Sequence, residues 1–414
     1  MQLSKYSFGT GDRFGLQGSA QLEAIRKAEA AGVELAIVWN KSFREHSIVG
    51  TTQRDLRREA DEAVQAAGWK GKYHVDADHI NLHNVDEFLE YSDFFTIDVA
   101  DYIGVKPKES DLSAFIDSFS PYIGLLHIEG IAGPLTITIE KLLNIGEKYL
   151  HAAQQAARIY RHIAIAKGVG NFITEVSMDE TSTPQTPEEL FFILAALSKY
   201  NVPVQTIAPK FTGRFNKGVE YQGNVAQFNR EFSDDVCVIK KAINLFHLPP
   251  DLKLSVHSGS DKFSIYQGIR TAIERHSSGV HIKTAGTTWL EELIGLAEAG
   301  GDSLVMVKNI YRQAYGRFEE LCKPYATVID IDREALPSPD SVDSWTNMQM
   351  SRAIQHDQRS PDYNANIRQL LHVGYKVAAE LGQTYLQALE VNTDIVARHV
   401  TNNLYERHIV PLFL

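Results

Sequence analysis

The sequence predicts an α/β chain built on a TIM-like (β/α)8 barrel. Two observations carry that expectation. Eight short apolar runs alternate with helical patterns, and such alternation gives a parallel sheet with helices on its outside. Each run also closes on polar residues: Gly11-Asp12-Arg13, Trp39-Asn40-Lys41, Asp76-Ala77-Asp78-His79, Asp98, Thr174-Glu175, Gln205, His257-Ser258-Gly259 and His281-Ile282-Lys283-Thr284. Parallel barrels carry their reactive groups at the C-terminal ends of the strands, so the pattern reads as that of an enzyme.

The predicted strands are 6–10, 33–39, 72–77, 93–99, 171–177, 202–207, 252–257 and 279–284. Several are rich in Val, Ile and Phe, as strands covered on both faces should be. Gln21 to Ala31 is a helix stopped by Gly32, and Thr52 to Ala67 is another stopped by Gly68. Thr186-Pro187-Glu188-Glu189 combines an N-cap, a first-turn proline and two acids, and opens a helix to about Lys199. Thr287 to Gly300 is a further helix. Two regions break the alternation. Residues 104–168 read as an insertion with a short apolar piece from Tyr122 to Glu129, a Gly-Pro turn and a long helix to about Ala166. The barrel with this insertion is assigned to residues 1–304, and residues 305–414 form a helical C-terminal extension packed on it, with long helices over Arg368–Leu381 and Tyr385–Tyr405.

Composition excludes several classes. Hydrophobic residues make up 44% and charged residues 22% of the 414, as in an ordinary folded protein. The formal net charge of −11 argues against nucleic acid and anionic membranes as partners. No apolar run is long enough for a transmembrane helix, and the first residues lack a signal core, so a cytoplasmic location is expected. Cys237 and Cys322 lack metal-type spacing and are expected reduced and buried. A small anionic ligand stays open, because Arg13, Lys41, Arg44, Lys210, Arg214 and Lys217 lie near strand ends or in glycine-rich loops.

Asp76 and Asp78 are two apart and share one face of a strand. Two carboxylates facing one way repel unless a cation or a shared proton relieves them. Glu175 sits in an apolar strand, where a carboxylate is costly unless paired or metal-bound. His257 ends its strand before Ser-Gly-Ser, and His281 and Lys283 share a face of the last strand. Glu175, His257 and His281, with His79 or Asp78 from an earlier strand, make a mixed oxygen–nitrogen cage suited to a divalent Mn, Co, Ni or Zn ion. Asp78, Asp12 and Lys283 are the catalytic candidates, and Arg13, Lys41, Lys210 and Arg214 the candidates for holding substrate. The run Gly9-Thr10-Gly11-Asp12-Arg13-Phe14-Gly15 misses the dinucleotide fingerprint because its third glycine falls one position late.

Several long strings together resemble the tagaturonate/fructuronate epimerase family. They are Phe8 to Gly18, Val38 to Ser42, Arg44 to His46, Val75 to Leu82, Phe95 to Asp101 and Leu370 to Lys376. The resemblance implies a metal-dependent enzyme acting on a keto-uronate, or on the neutral ketohexoses tagatose and fructose at C4. The carbon inverted is β to the ketone, which enolisation cannot reach; retro-aldol cleavage with re-addition and transient oxidation of the hydroxyl are the remaining routes, and the missing dinucleotide fingerprint favours the first. A Schiff-base aldolase using Lys283 or Lys210, and a non-catalytic sugar-acid-binding barrel, are the rival readings. The C-terminal helices leave a homo-oligomer open.

Overall fold

The computed structural model describes residues 1–284 and 286–414. Its centre is a closed barrel of eight parallel strands: β1 (Tyr6–Gly11), β2 (Ala36–Ser42), β3 (Tyr73–Ile80), β4 (Phe94–Asp98), β7 (Ile173–Ser177), β8 (Thr206–Ala208), β9 (Lys253–His257) and β10 (Val280–Lys283). Neighbours follow chain order around the ring, and β1 pairs with β10 to close it, Tyr6 opposite Val280 and Gly9 opposite Lys283. A two-stranded antiparallel hairpin, β5 (Gly124–Leu126) and β6 (Leu135–Ile137), lies between β4 and β7. It stands in the region read as an insertion, between the helices Glu109–Phe119 and Ile139–Lys167.

The (β/α)8 architecture agrees with the sequence, and the strand ends shift in places. β2 starts three residues later than predicted and runs on through Lys41 and Ser42, because Val33–Leu35 are taken up in the connection from the preceding helix. β8 is cut to three residues. The two long helices expected near the C-terminus are each broken. Gly374 divides Ala365–Val373 from Tyr375–Leu381. Gly382, at φ 54, adopts a left-handed backbone that glycine accepts without strain and that no helix continues through. At Asn392 the side-chain amide turns back onto the Ala388 carbonyl and Ser303, and the next helix starts afresh at Thr393.

Two apolar regions result. The larger lies between the strands and the surrounding helices, with Trp39, Phe95, Ile97, Ile207 and Trp289 almost fully buried in it. The smaller, Leu3, Val38, Phe94 and Ile173, is separate and plugs the lower lumen, where the Phe94 ring lies 5.3 Å from that of His281. Above the plug the inward side chains are polar.

The extension is fastened to the barrel through one buried acid. Asp261, in the loop after β9, takes Arg368 at 2.6 Å, His408 at 3.0 Å, His356 at 3.2 Å and the Thr287 hydroxyl at 3.2 Å. Burial alone would raise the Asp261 pKa, but Arg368 and the two histidines hold it well below the carboxylate range. Removing one partner of a buried pair leaves an uncompensated charge, which costs about 3 to 5 kcal/mol. Asp261→Asn is therefore expected to lower unfolding stability by that order in urea titrations at neutral pH. A group with a depressed folded pKa contributes stability above its unfolded value, near 4, and loses it as pH falls through the folded value. The gap between wild type and variant should accordingly narrow on acidification below about pH 4.

Candidate active site

Lys283 is the hub of the lumen. Its ammonium lies 2.7 Å from Asp76 Oδ2, 2.8 Å from Asp78 Oδ1 and 3.2 Å from Glu175 Oε1, and it donates to Thr96 Oγ1 at 2.8 Å. Burial would strip its proton, but the three carboxylates outweigh that and hold its pKa well above the usual lysine value. Thr206 donates to Glu175 Oε2 at 2.7 Å, and Thr96 to Asp76 at 2.9 Å. The acids divide by depth. Asp76 is pushed up to about 7 by burial, against Lys283 and with the charges of Asp78 and Glu175. Asp78, nearer the mouth, is lowered: Lys283 and His79 overcome its burial. Gly9 makes room for this cluster, since a Cβ there would lie 3.2 Å from Lys283 Cγ and 3.1 Å from Asn40 Nδ2.

The second group sits one step higher. His79, Asp179 and His257 each offer a ligand atom, all within 4.8 Å of one another. Each imidazole has one nitrogen fixed by a carboxylate behind it. His257 Nε2 bonds Glu175 Oε1 at 2.8 Å, and His79 Nδ1 bonds Asp98 Oδ2 at 3.1 Å. The opposite nitrogens are left toward the group. His257 Nδ1 is buried and makes no hydrogen bond, although Asp179 Oδ1 stands 3.2 Å away. Carboxylate–histidine pairs of this kind orient metal ligands and fix their tautomer. Without an ion the acids hold both rings protonated. Despite burial, Asp78 and Asp98 raise His79 to about 10, and Asp179 and Glu175 raise His257 to about 9. Two imidazoles and a carboxylate suit Mn, Co, Ni or Zn, so the residues present fit a divalent ion.

His79 reaches this position through an irregularity. Along a regular strand Asp76 and Asp78 face inward, and His79 would face out. The pairing of β3 with β4 slips between Ala77 and Ile80, and His79 takes φ 53. A bulge with a left-handed residue re-aims a side chain, so Asp78 and His79 both turn to the lumen while Ile80 returns to the outer core.

The other candidate residues are placed differently. His281 lies a layer below, bonded to Ser7 Oγ at 2.9 Å, and burial lowers it to about 3, so its ring is neutral. Asp12 accepts the backbone N–H groups of Phe14 and Gly15 at 3.0 and 2.9 Å, and that of Gln17, which shapes the entry to the helix Gly18–Ala30. Lys41 donates to the Arg13 carbonyl at 2.6 Å. Arg13 pairs with Glu45 at 3.1 Å and stacks 4.1 Å over Tyr375. Arg214 reaches Asp330 at 3.3 Å on the surface. Lys210 follows β8, its backbone N–H donating to Gln185. The strand-end reading passed over Asp179, which lies two residues beyond β7 in Ser177-Met178-Asp179.

The arrangement makes a graded expectation for metal binding. Replacing a ligand, as in His257→Ala or Asp179→Asn, should abolish high-affinity uptake of Mn, Co, Ni or Zn in calorimetric titration. Replacing a carboxylate behind a ligand, as in Asp98→Asn, should cost about 10- to 100-fold in affinity. Equal affinity in wild type and His257→Ala would remove the triad as the ion's seat.

Residues 1–389 match the family described as UxaE, tagaturonate epimerase. A curated relative from Thermotoga maritima, named tagaturonate/fructuronate epimerase, is 28% identical over 421 residues, covering 97% of this chain and 80% of its own. Among solved structures, the native fructuronate-tagaturonate epimerase UxaE from Cohnella laeviribosi has a TM-score of 0.82 at 22% identity, over 100% of this chain and 82% of that one. Its complex with two glycerols has a TM-score of 0.83 at 21% identity, over 100% and 83%. At that identity the likeness speaks for the fold: a barrel with the same helical additions. The family match spans nearly the whole chain, and on it the chain belongs to the tagaturonate epimerase family, an isomerase by class.

Proposed function

We propose that the protein interconverts tagaturonate and fructuronate by inverting the carbon β to the ketone, with a divalent ion held by His79, Asp179 and His257. The observation that carries this reading is the pairing of that triad with the Lys283 cluster through shared residues: Glu175 bonds both His257 and Lys283, at 2.8 and 3.2 Å. A bound ion would supply polarisation of the ketone.

The chain's own groups do the rest. Asp78, the ionised carboxylate nearer the mouth, accepts the proton of the C4 hydroxyl. The C3–C4 electron pair moves toward the ketone, leaving an enediolate and an aldehyde. The aldehyde turns its other face, the C3–C4 bond re-forms, and Asp78 returns the proton to the new C4 oxygen. Atoms and charge balance without a redox partner. Lys283 stays an ammonium throughout and offers its charge to the oxygens that become negative.

That protonation state weighs against the Schiff-base rival. A nucleophilic lysine needs a depressed pKa, whereas three carboxylates keep the Lys283 proton in place. A binding-only barrel has no need for so many buried ionised groups at one mouth.

The test is NMR of fructuronate, and separately of fructose, with EDTA-treated protein before and after adding Mn, Co, Ni or Zn. Tagaturonate formed only with metal is the expected result. Cleavage products without epimer, or inertness under every metal, would overturn the reading. Asp78→Asn should lower kcat by about 10² to 10⁴, the usual contribution of a positioned proton acceptor.

A further inference from the structure

The proposed substrate carries a carboxylate at the end remote from the ketone. The Lys283 cluster and the triad are lined with acids and would repel it, so its seat must lie elsewhere at the mouth. Most cations nearby are committed. Lys283 is shared among three acids, Arg13 is paired with Glu45, and Arg368 with Asp261. Lys41 donates to the Arg13 carbonyl, and Arg44 lies over the Tyr325 ring. Lys217 and Lys262 likewise form no salt bridge to a carboxylate among the described residues, and they stand on the loops at this end of the barrel. Lys262 is fully buried, and its ammonium finds the Ser260 hydroxyl at 3.0 Å and the Asp261 carbonyl at 3.3 Å. Glu220, the other acid near it, accepts instead from Ser264.

These lysines converge on the loops that follow β9 and β10. Gly218 N donates to Ser260 Oγ at 3.0 Å, and Gly286 N to the Gly259 carbonyl at 3.0 Å. A Cβ on Gly259 would lie 3.6 Å from Lys217 Nζ. The C-terminal extension adds His372, 2% exposed, with neither ring nitrogen hydrogen-bonded. A Cβ on Gly286 would lie 2.1 Å from its Nε2, so glycine there is what admits the ring. Burial, then Arg13, Lys217, Arg368 and Lys262, hold the ring well below the usual histidine value, and burial lowers Lys262 to about 7. The surroundings are positive, desolvated and short of one anion.

We propose that Lys217, Lys262 and His372 form the seat for the carboxylate of a sugar acid. The proposal rests on the epimerase reading for its choice of ligand, and on the unpaired cations and the unbonded buried imidazole for its place. Gly259 is two residues beyond His257, about 7 Å along an extended chain, a separation that a six-carbon acid with its ketone at the triad can span. The loops after the seventh and eighth strands are also where barrels of this kind commonly hold anions.

The experiment is calorimetric titration of the full-length, metal-loaded protein with gluconate and with glucitol, which shares its carbon chain but lacks the charge. Lys217→Met and Lys262→Met are each expected to weaken gluconate by about 10- to 100-fold, the range for a charge-assisted hydrogen bond, and to leave glucitol unchanged. Lys217 is only partly buried, so its variant keeps the test open if Lys262→Met misfolds. Gluconate binding unaffected by both variants, loss at Lys210→Met instead, equal weakening of glucitol, or no gluconate binding by wild type would each overturn the proposal. A wild type that binds gluconate through Lys217 yet leaves fructuronate unchanged would strike the epimerase reading alone.

Discussion

The barrel lumen is organised around one ammonium. Asp76, Asp78 and Glu175 point into a closed ring of strands, where water cannot separate their charges, and Lys283 makes that tolerable. The side chains come from three separate strands, Asp76 and Asp78 from β3, Glu175 from β7 and Lys283 from β10, so the cluster forms only when those strands are in register. The dependence runs both ways. Without Lys283 three buried carboxylates would face one another, and without the carboxylates a buried lysine would shed its proton. The same constraint reaches the neighbouring strand β1, where Gly9, paired with Lys283, carries no side chain because the lysine stem occupies that space.

This charge cluster also conditions the layer above it. Glu175 is shared between Lys283 and His257, so the imidazole is oriented by an acid that is itself pinned by Thr206 and an ammonium. Asp98 does the same for His79 from β4. Protons on the two rings, and a divalent ion were one held there, would be alternative ways to answer the same acids, the linkage expected of a metal site. The left-handed backbone at His79, a conformation costing on the order of 1 to 3 kcal/mol, is spent on aiming one ring at that layer.

Much of this was legible in the sequence, and the rest fails for identifiable reasons. Alternation of apolar runs and helices fixes barrel topology, and a strand-end position marks Asp78, Glu175, His257 and Lys283, because reactive groups in such folds stand where strands open to solvent. Parity of two along a strand pairs Asp76 with Asp78, but it cannot foresee the bulge that turns His79 inward. Asp179 lies beyond its strand, where period and direction no longer constrain a side chain. Asp12, Arg13 and Lys41 carry the same strand-end signature as the others, yet their partners are backbone groups and Glu45, which sequence spacing does not disclose. The stop at Gly382 falls between the expected helices, whereas the break at Gly374 is masked by helix formers on both sides and that at Asn392 depends on its side-chain amide turning back onto the Ala388 carbonyl.

The C-terminal extension links stability to the mouth of the barrel. Arg368 lies one helical turn before His372, and its guanidinium is clamped to Asp261, which follows β9 by four residues. Tyr375, the residue after the break at Gly374, stacks on Arg13 from the other side. The ring of His372 is therefore positioned between two arginine anchors, each tied to a loop at the strand ends. An extension held this way is a structural part of the mouth, because loosening Asp261 would at once free the helix and withdraw a polar group from the loops after β9 and β10. Burying the anchor pair completely, at 0% exposure on both partners, keeps that geometry independent of salt, which screens exposed pairs and barely touches buried ones.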